Sequence, residues 1–266
     1  MLLMNQDRFK NTEWLDWSDD VLVNCDCIEG MKKIPDRSID AIICDLPYGT
    51  TSNKWDSIIP FDELWNSYER IIKPEGNIVL FGQGMFAFKL ALSNEKLFRY
   101  DIVWKKSKCG SPLTAKYMPL KKHEIILVFG NPGAYYEPQM EEGKPYTRKA
   151  TPHKKNNHKY GIVGNSGIVN TGTRHPGTVL DYHQMWRRQD QVHPTQKPVE
   201  LMEFLVRSYC PENGIVLDNC MGSGSTGVAC VRSNRRFIGM DIISEYVDVS
   251  YKRMIDEINK KAGCLF

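Results

Sequence analysis

The segment Ile215-Val216-Leu217-Asp218-Asn219-Cys220-Met221-Gly222-Ser223-Gly224-Ser225-Thr226 constrains this chain more than any other. A short apolar, β-branched run ends in an acid, then glycines, then a helix-forming stretch. A buried strand that turns through glycines into a helix brings backbone N–H groups close to a ligand, because glycine has no side chain to hold it off. The next apolar run, Arg236 to Asp241, ends in a second acid seventeen residues past Gly224. An acid at that strand end is placed to hydrogen-bond ribose hydroxyls. Gly222, Gly224 and Gly227 also satisfy G-x-G-x-x-G. The loop alone therefore leaves dinucleotide and other nucleotide cofactors open.

The rest of the chain supplies more strands and helices in alternation. Val21-Leu22-Val23, Ala41 to Cys44, Asn77 to Gly82, Tyr100 to Lys105 and Glu124 to Phe129 read as strands, the last two as a pair. Helices are expected over Phe61 to Lys73, Met85 to Ser93, Pro198 to Tyr209 and Glu245 to Lys261, and after Gly224. Alternation of this kind predicts a doubly wound α/β sheet with helices on both faces. From Gly130 to Gln191 the periodicity fails and Gly, Pro, Asn, Lys, His and Tyr dominate. A loop-rich stretch of that length inside a domain carries function. The expected division is a first half over 1–129, an insertion over 130–192 and a cofactor-binding half over 193–266.

Asp45-Leu46-Pro47-Tyr48 closes the run Ala41 to Cys44, so it sits at the carboxyl edge of the sheet, where open α/β folds bind ligands. Its residue types suit chemistry on an exocyclic amine, a poor nucleophile whose lone pair is delocalised into the ring. The Asp45 carboxylate and a backbone carbonyl, that of Leu46, can hold the two N–H bonds and favour a pyramidal nitrogen. Pro47 stiffens the turn, and Tyr48 offers an aromatic face to an extruded base. Alone, such a tetrapeptide is an ordinary β-turn. Its place after a buried strand, with a ligand loop elsewhere, makes it a candidate catalytic turn.

Charge narrows the substrate. The net charge is only +3, yet Ile102 to Pro198 holds sixteen Lys and Arg against six Asp and Glu. A basic middle in an otherwise acidic chain fits a polyanion-binding enzyme. The eight cysteines form no C-x-x-C pair, so reduced thiols and no metal site are expected. No apolar run approaches bilayer length, and Met1 to Glu13 lacks a signal-peptide core. The expected place is the cytoplasm, on the nucleoid, with no membrane partner.

Together these segments resemble the DNA amino-methyltransferases that modify N6 of adenine or N4 of cytosine, specifically the permuted (beta) class, whose catalytic turn precedes the cofactor glycines. Asp45-Leu46-Pro47-Tyr48 is similar to that family's D-P-P-Y, Leu217 to Thr226 to its D-P-F-x-G-S-G-T-T loop, and Phe237 to Asp241 to its F-I-G-x-E strand. His193-Pro194-Thr195-Gln196-Lys197-Pro198 matches H-P-T-Q-K-P, and Asn24-Cys25-Asp26-Cys27 resembles its G-D-C segment. Leu46 stands for the first proline of the turn, Asn219-Cys220 for Pro-Phe, Ser225 for Thr and Asp241 for Glu. None of these departures removes a needed functional group.

The resemblance implies a circularly permuted Rossmann-like sheet, S-adenosyl-L-methionine as cofactor, double-stranded DNA as substrate with base flipping, and often a homodimer. It assigns Asp45, Leu46, Pro47 and Tyr48 to the target base. Asp26, Thr195, Lys197, Asp218, Asn219, Gly222, Gly224, Ser225, Thr226 and Asp241 go to the cofactor, with Lys197 on its carboxylate and Asp26 near its adenine. Target recognition falls to the segment from about Gly130 to Gln191, with Arg148, Lys154, Lys155, Arg174, Arg187 and Arg188 among its basic residues. Lys105, Lys106, Lys121 and Lys122 extend the phosphate track. Asp at the head of the turn favours adenine over cytosine. The other readings are N4-cytosine methylation, an RNA or protein methyltransferase, a non-catalytic DNA-binding subunit and an NAD-dependent enzyme. The motif order argues against an RNA or protein substrate, and no hydride-transfer acid or base is apparent.

Overall fold

The computed structural model describes residues 20–49, 57–110, 112–150, 167–182 and 196–263. Two compact units emerge: one of the described residues up to Glu137 and from Thr178 onward, the other Pro138–Gly177.

The larger unit is built on an eight-stranded sheet. Its elements in chain order are β1 (Val21–Asn24), α1 (Cys27–Met31), β2 (Ile39–Cys44), α2 (Phe61–Ile71), β3 (Ile72–Gly82), α3 (Met85–Ser93), β4 (Phe98–Gly110) and β5 (Lys121–Gly130). In the smaller unit follow β6 (Glu141–Glu142), β7 (Tyr146–Arg148), β8 (Ile168–Asn170) and β9 (Thr173–Arg174). The larger unit resumes with β10 (Val179–Leu180), α4 (Val199–Tyr209), β11 (Ile215–Asp218), α5 (Ser225–Ser233), β12 (Arg236–Asp241) and α6 (Ser244–Gly263).

The strand order is β1-β12-β11-β2-β3-β5-β4-β10. Every neighbouring pair is parallel except those made by β5, which runs against β3 and β4. Parallel strands covered on both faces need continuous apolar sequence, and β2 shows why. Ala41 and Ile43 enter one core with Leu201, Leu205, Val228 and Met254 of α4, α5 and α6. Ile42 and Cys44 enter the other with Met31, Leu64 and Phe86 of α1, α2 and α3. In α2 the buried positions Leu64, Trp65, Tyr68 and Ile71 form one helical stripe, with Asp62 and Glu63 in the first turn and Arg70 in the last, as the helix dipole favours.

This arrangement creates a switch point. From β2 the chain moves to β3 through α2 on one face; from β11 it moves to β12 through α5 on the other. β2 and β11 are neighbours, paired at Val216–Ala41 and Leu217–Ile42. The segments leaving their carboxyl ends therefore diverge and leave a crevice between them.

Several boundaries differ from the sequence expectation. Helix α2 stops at Ile71 rather than Lys73, because Ile72 already pairs with Ile39 in the sheet. The short helix α1, absent from that expectation, is nucleated by the Asp26 cap. Strand β4 continues five residues beyond Lys105, through a register shift. Tyr135 N–H bonds to Glu75 O, and β10 pairs with Val103 and Trp104 of β4, so these two segments belong to the larger unit. Within the smaller unit, β6 pairs with β9 and β7 with β8 as two antiparallel ribbons.

Candidate functional site

The turn Asp45–Tyr48 leaves β2 on one side of the crevice. Leu46 is buried and anchors it, while Asp45, Pro47 and Tyr48 are half-buried. The Tyr48 hydroxyl donates to Asp45 Oδ1 at 2.6 Å, and its ring packs 4.9 Å from that of Phe86. Burial first, and then the negative Asp45, push the Tyr48 phenol well above its ordinary pKa, so it stays protonated and keeps donating.

The second oxygen of Asp45 takes a charge-assisted hydrogen bond from the Lys197 ammonium. Lys197 Nζ also lies 3.2 Å from Glu124 Oε2 and 4.9 Å from the centre of the Phe81 ring. Lys106 caps the far side of Glu124. Four charges thus alternate in sign, Asp45, Lys197, Glu124 and Lys106, with Lys197 and Glu124 each 9% exposed. Burial alone would lower the pKa of Lys197, but Asp45 and Glu124 outweigh it and raise it. For Glu124, burial would raise the carboxyl, and Lys197 and Lys106 outweigh that and lower it.

Lys197 thus lies between the Asp45–Tyr48 turn and Glu124, and Lys106 pairs with Glu124. Lys105 pairs with Asp181 across two half-exposed side chains, and Lys121 and Lys122 stand exposed.

Across the crevice lies the glycine loop. Gly224 has φ +73°, and a Cβ there would sit 2.6–2.7 Å from the Ser250 side chain, so only glycine fits. Gly222 has φ +50° with open space before it. The acids shape this loop. Asp241 Oδ2 accepts from Gly222 N–H at 2.9 Å, and its Oδ1 accepts from Ile243 N–H at 2.9 Å. Asp218 is buried; it accepts from Thr226 Oγ1 at 2.5 Å and Cys220 N–H at 3.2 Å, and burial pushes its carboxyl up to about 7. Asn219 is buried and accepts the Tyr68 hydroxyl at 2.6 Å. Asp218, Asn219 and Thr226 therefore brace the loop from behind.

Asp26 caps α1, accepting from the N–H groups of Ile28 and Glu29 at 2.9 and 3.1 Å. The bond from Cys25 N–H to Asp241 O holds that cap at the same sheet edge as the loop. Ser225 Oγ donates to Lys197 O at 2.9 Å, so Lys197, which bonds to Asp45, is also tied to the start of α5.

Two residues were missed in the sequence reading. Glu124 is an acid at the head of an apolar strand and the only acid from Lys105 to the end of β5, a signal that was there to be read. Arg253 gave none. It lies on α6, donates to Ser223 O, and reaches the hydroxyls of Ser223 and Ser225 at 3.1 and 3.4 Å. Burial lowers its guanidinium to about 10. In the smaller unit, Arg174 bonds to Asn170, Thr173 O and Lys144 O and lies over the Tyr146 ring, so it serves that unit's own structure. Arg148 is exposed there. Thr195, Lys154, Lys155, Arg187 and Arg188 lie outside the described residues.

A doubly wound sheet with one reversed strand, a glycine loop and an Asp-x-Pro-Tyr turn facing each other across the switch point is a Rossmann-like methyltransferase fold. The solved PvuII DNA methyltransferase (cytosine-N4-specific) shares it, at a TM-score of 0.62 with 16% identity, covering 91% of this chain and 92% of that one. A family model described as DNA methylase, of the N6/N4 type, matches residues 39–252, and the chain belongs to that family. It is 28% identical over 256 residues to the Type II methyltransferase M.HpaI of Haemophilus parainfluenzae, covering 91% of this chain and 76% of the relative. It is 27% identical over 255 residues to the DNA adenine methyltransferase YhdJ of Escherichia coli K12, covering 88% and 82%.

Proposed function

We propose that this chain transfers a methyl group from S-adenosyl-L-methionine to the N6 amino group of adenine in double-stranded DNA, at a specific sequence and with the base turned out of the helix. The observation that carries the reading is the Asp45 carboxylate, held on both oxygens by Tyr48 and Lys197 at the mouth of the crevice, opposite the glycine loop. The order of turn and loop along the chain supports the permuted arrangement.

The residues around the loop fit the cofactor. Asp241 closes β12 as an acceptor for ribose hydroxyls, Gly222 leaves open space for close approach, and Asp26 shares the edge. When bound, S-adenosylmethionine supplies an electrophilic methyl on a sulfonium. The protein's part is positioning and charge. Each Asp45 oxygen has lone pairs beyond those used by Tyr48 and Lys197, so it can also accept one amine N–H. The Leu46 carbonyl accepts the other, the nitrogen lone pair is freed, and Asp45 faces the positive charge that develops. Tyr48, braced by Phe86, stacks on the base. Lys197 keeps the carboxylate oriented, and Glu124 keeps Lys197 in place.

Two consequences are measurable. Glu124→Gln leaves Lys197 to lean on Asp45 alone; steady-state kinetics should show kcat reduced about tenfold with the KM for DNA unchanged. Arg253→Met removes a charged donor from behind the loop; titration calorimetry should show the Kd for S-adenosylmethionine raised about tenfold.

The smaller unit, with exposed Arg148, is proposed as part of the target-recognition region, together with Lys154, Lys155, Arg187 and Arg188. The expected split is basic side chains on phosphates and a few others on base edges. Asp at the head of the turn and the likeness to an adenine methyltransferase support adenine. Methylation at N4 of cytosine would use the same acceptors, and the nucleoside product tells the two apart.

A further inference from the structure

The hairpin of β4 and β5 carries a surface that holding a base and a cofactor does not use. From Lys105 to Lys122 the chain has six lysines and no acid. At its tip, Leu113 and Tyr117 are 93% and 87% exposed, the highest values among the large apolar side chains of the described residues. Met118 and Leu120 are exposed beside them. The tip is ordered by its own backbone: Pro112–Thr114 form a 3-10 turn, and the N–H groups of Tyr117 and Met118 both donate to Thr114 O, at 2.9 and 3.0 Å. Apolar side chains grouped so openly mark an interaction surface.

Strand register places this tip. Cys44 pairs with Leu80 and Leu80 with Leu127, so Asp45 lies level with Phe81 and Ile126. The paired hairpin continues from Ile126 to Lys121, past the carboxyl edge, a rise of roughly 16 Å at the usual strand spacing. Strand β5 stands two positions from β2, roughly 10 Å to the side. The apolar tip thus projects past the edge at which the Asp45–Tyr48 turn lies, with exposed Lys116, Lys121 and Lys122 around it.

Two copies meeting tip to tip would set one lysine collar against another, which opposes that pairing. Duplex DNA suits both parts. Its phosphates match the lysines, and its base stack admits apolar side chains wherever a step is opened. We infer that Leu113 and Tyr117 form a wedge that enters the base stack beside the target and fills the space the extruded base leaves, while the lysines hold the flanking phosphates. The inference rests on the reading of Asp45–Tyr48 as a turn that receives a flipped base.

The test compares wild type with a Leu113→Ser/Tyr117→Ser variant on two oligonucleotide duplexes that carry the sequence wild type methylates. In one the target base is paired; in the other it is mispaired and costs less to extrude. The variant should methylate the paired duplex about tenfold more slowly than wild type and the mispaired duplex at close to the wild-type rate. Its melting temperature and cofactor Kd should not change, because both side chains are exposed. An equal loss on the two duplexes, or no loss on either, overturns the wedge while leaving the methylation reading intact. Failure of wild type to methylate any DNA overturns the methylation reading itself.

Discussion

Asp45→Ala should lower methylation turnover about a thousandfold while S-adenosylmethionine still binds with unchanged Kd. The size follows from what the carboxylate does. In the proposed reaction it is the acceptor that frees the amine lone pair and the negative group facing the charge that develops, so its effect belongs to the transition state more than to the ground state. The cofactor loop is braced by other groups, Asp218 by Thr226 and Cys220, and Asp241 by Gly222 and Ile243, so its geometry does not depend on Asp45. Asp45→Asn keeps one carbonyl acceptor and should lose less. Rapid-quench kinetics beside titration calorimetry separates the two effects. A variant that loses cofactor binding and rate together would assign Asp45 to the cofactor instead.

Lys197→Met should damage both folding and activity. Lys197 is the cation between two carboxylates, and removing it leaves Asp45 and Glu124 facing each other without a charge between them. Breaking a buried pair from one side costs roughly 3–5 kcal/mol. Asp45 is 28% exposed and Glu124 retains Lys106, so the expected loss is near the low end, about 3 kcal/mol by urea unfolding. Turnover should fall at least a hundredfold, because the acceptor loses the donor that orients it. Lys197→Arg should keep the charge yet recover little rate, since a planar guanidinium does not reproduce an ammonium enclosed by two carboxylates and the Phe81 ring. Full activity in Lys197→Met would detach the lysine from the catalytic turn.

The sequence made the frame legible because both ligand segments sit at the ends of continuous apolar strands. Ala41 to Cys44 and Ile215 to Asp218 are buried on two faces, so their runs mark them, and the turns that follow fall at the carboxyl edge. The glycines were legible for a similar reason: the loop needs positive φ and close packing against Ser250. What the order of residues could not reveal was partnership. Lys197 stands in a motif far along the chain, yet its neighbour in space is Asp45, 152 residues away. Lys105 and Lys106 look alike in a basic run, but successive residues on a strand face opposite ways, and only Lys106 meets Glu124, while Lys105 meets Asp181. Asp218 was legible as an acid at a strand end, and Asp26 through the resemblance of its segment. Their hydrogen bonds go to the backbone of α1 and to the loop's own Thr226 and Cys220.

The most direct measurement is the product. The protein is incubated with S-adenosylmethionine and unmethylated mixed-sequence DNA, the DNA is digested to nucleosides, and these are identified by mass spectrometry beside an Asp45→Ala control. The wild type should yield N6-methyladenine and the control none. N4-methylcytosine would keep the fold and the acceptors and overturn the base. A wild type that binds the cofactor yet leaves every nucleoside unmodified would contradict methyl transfer to DNA by this chain.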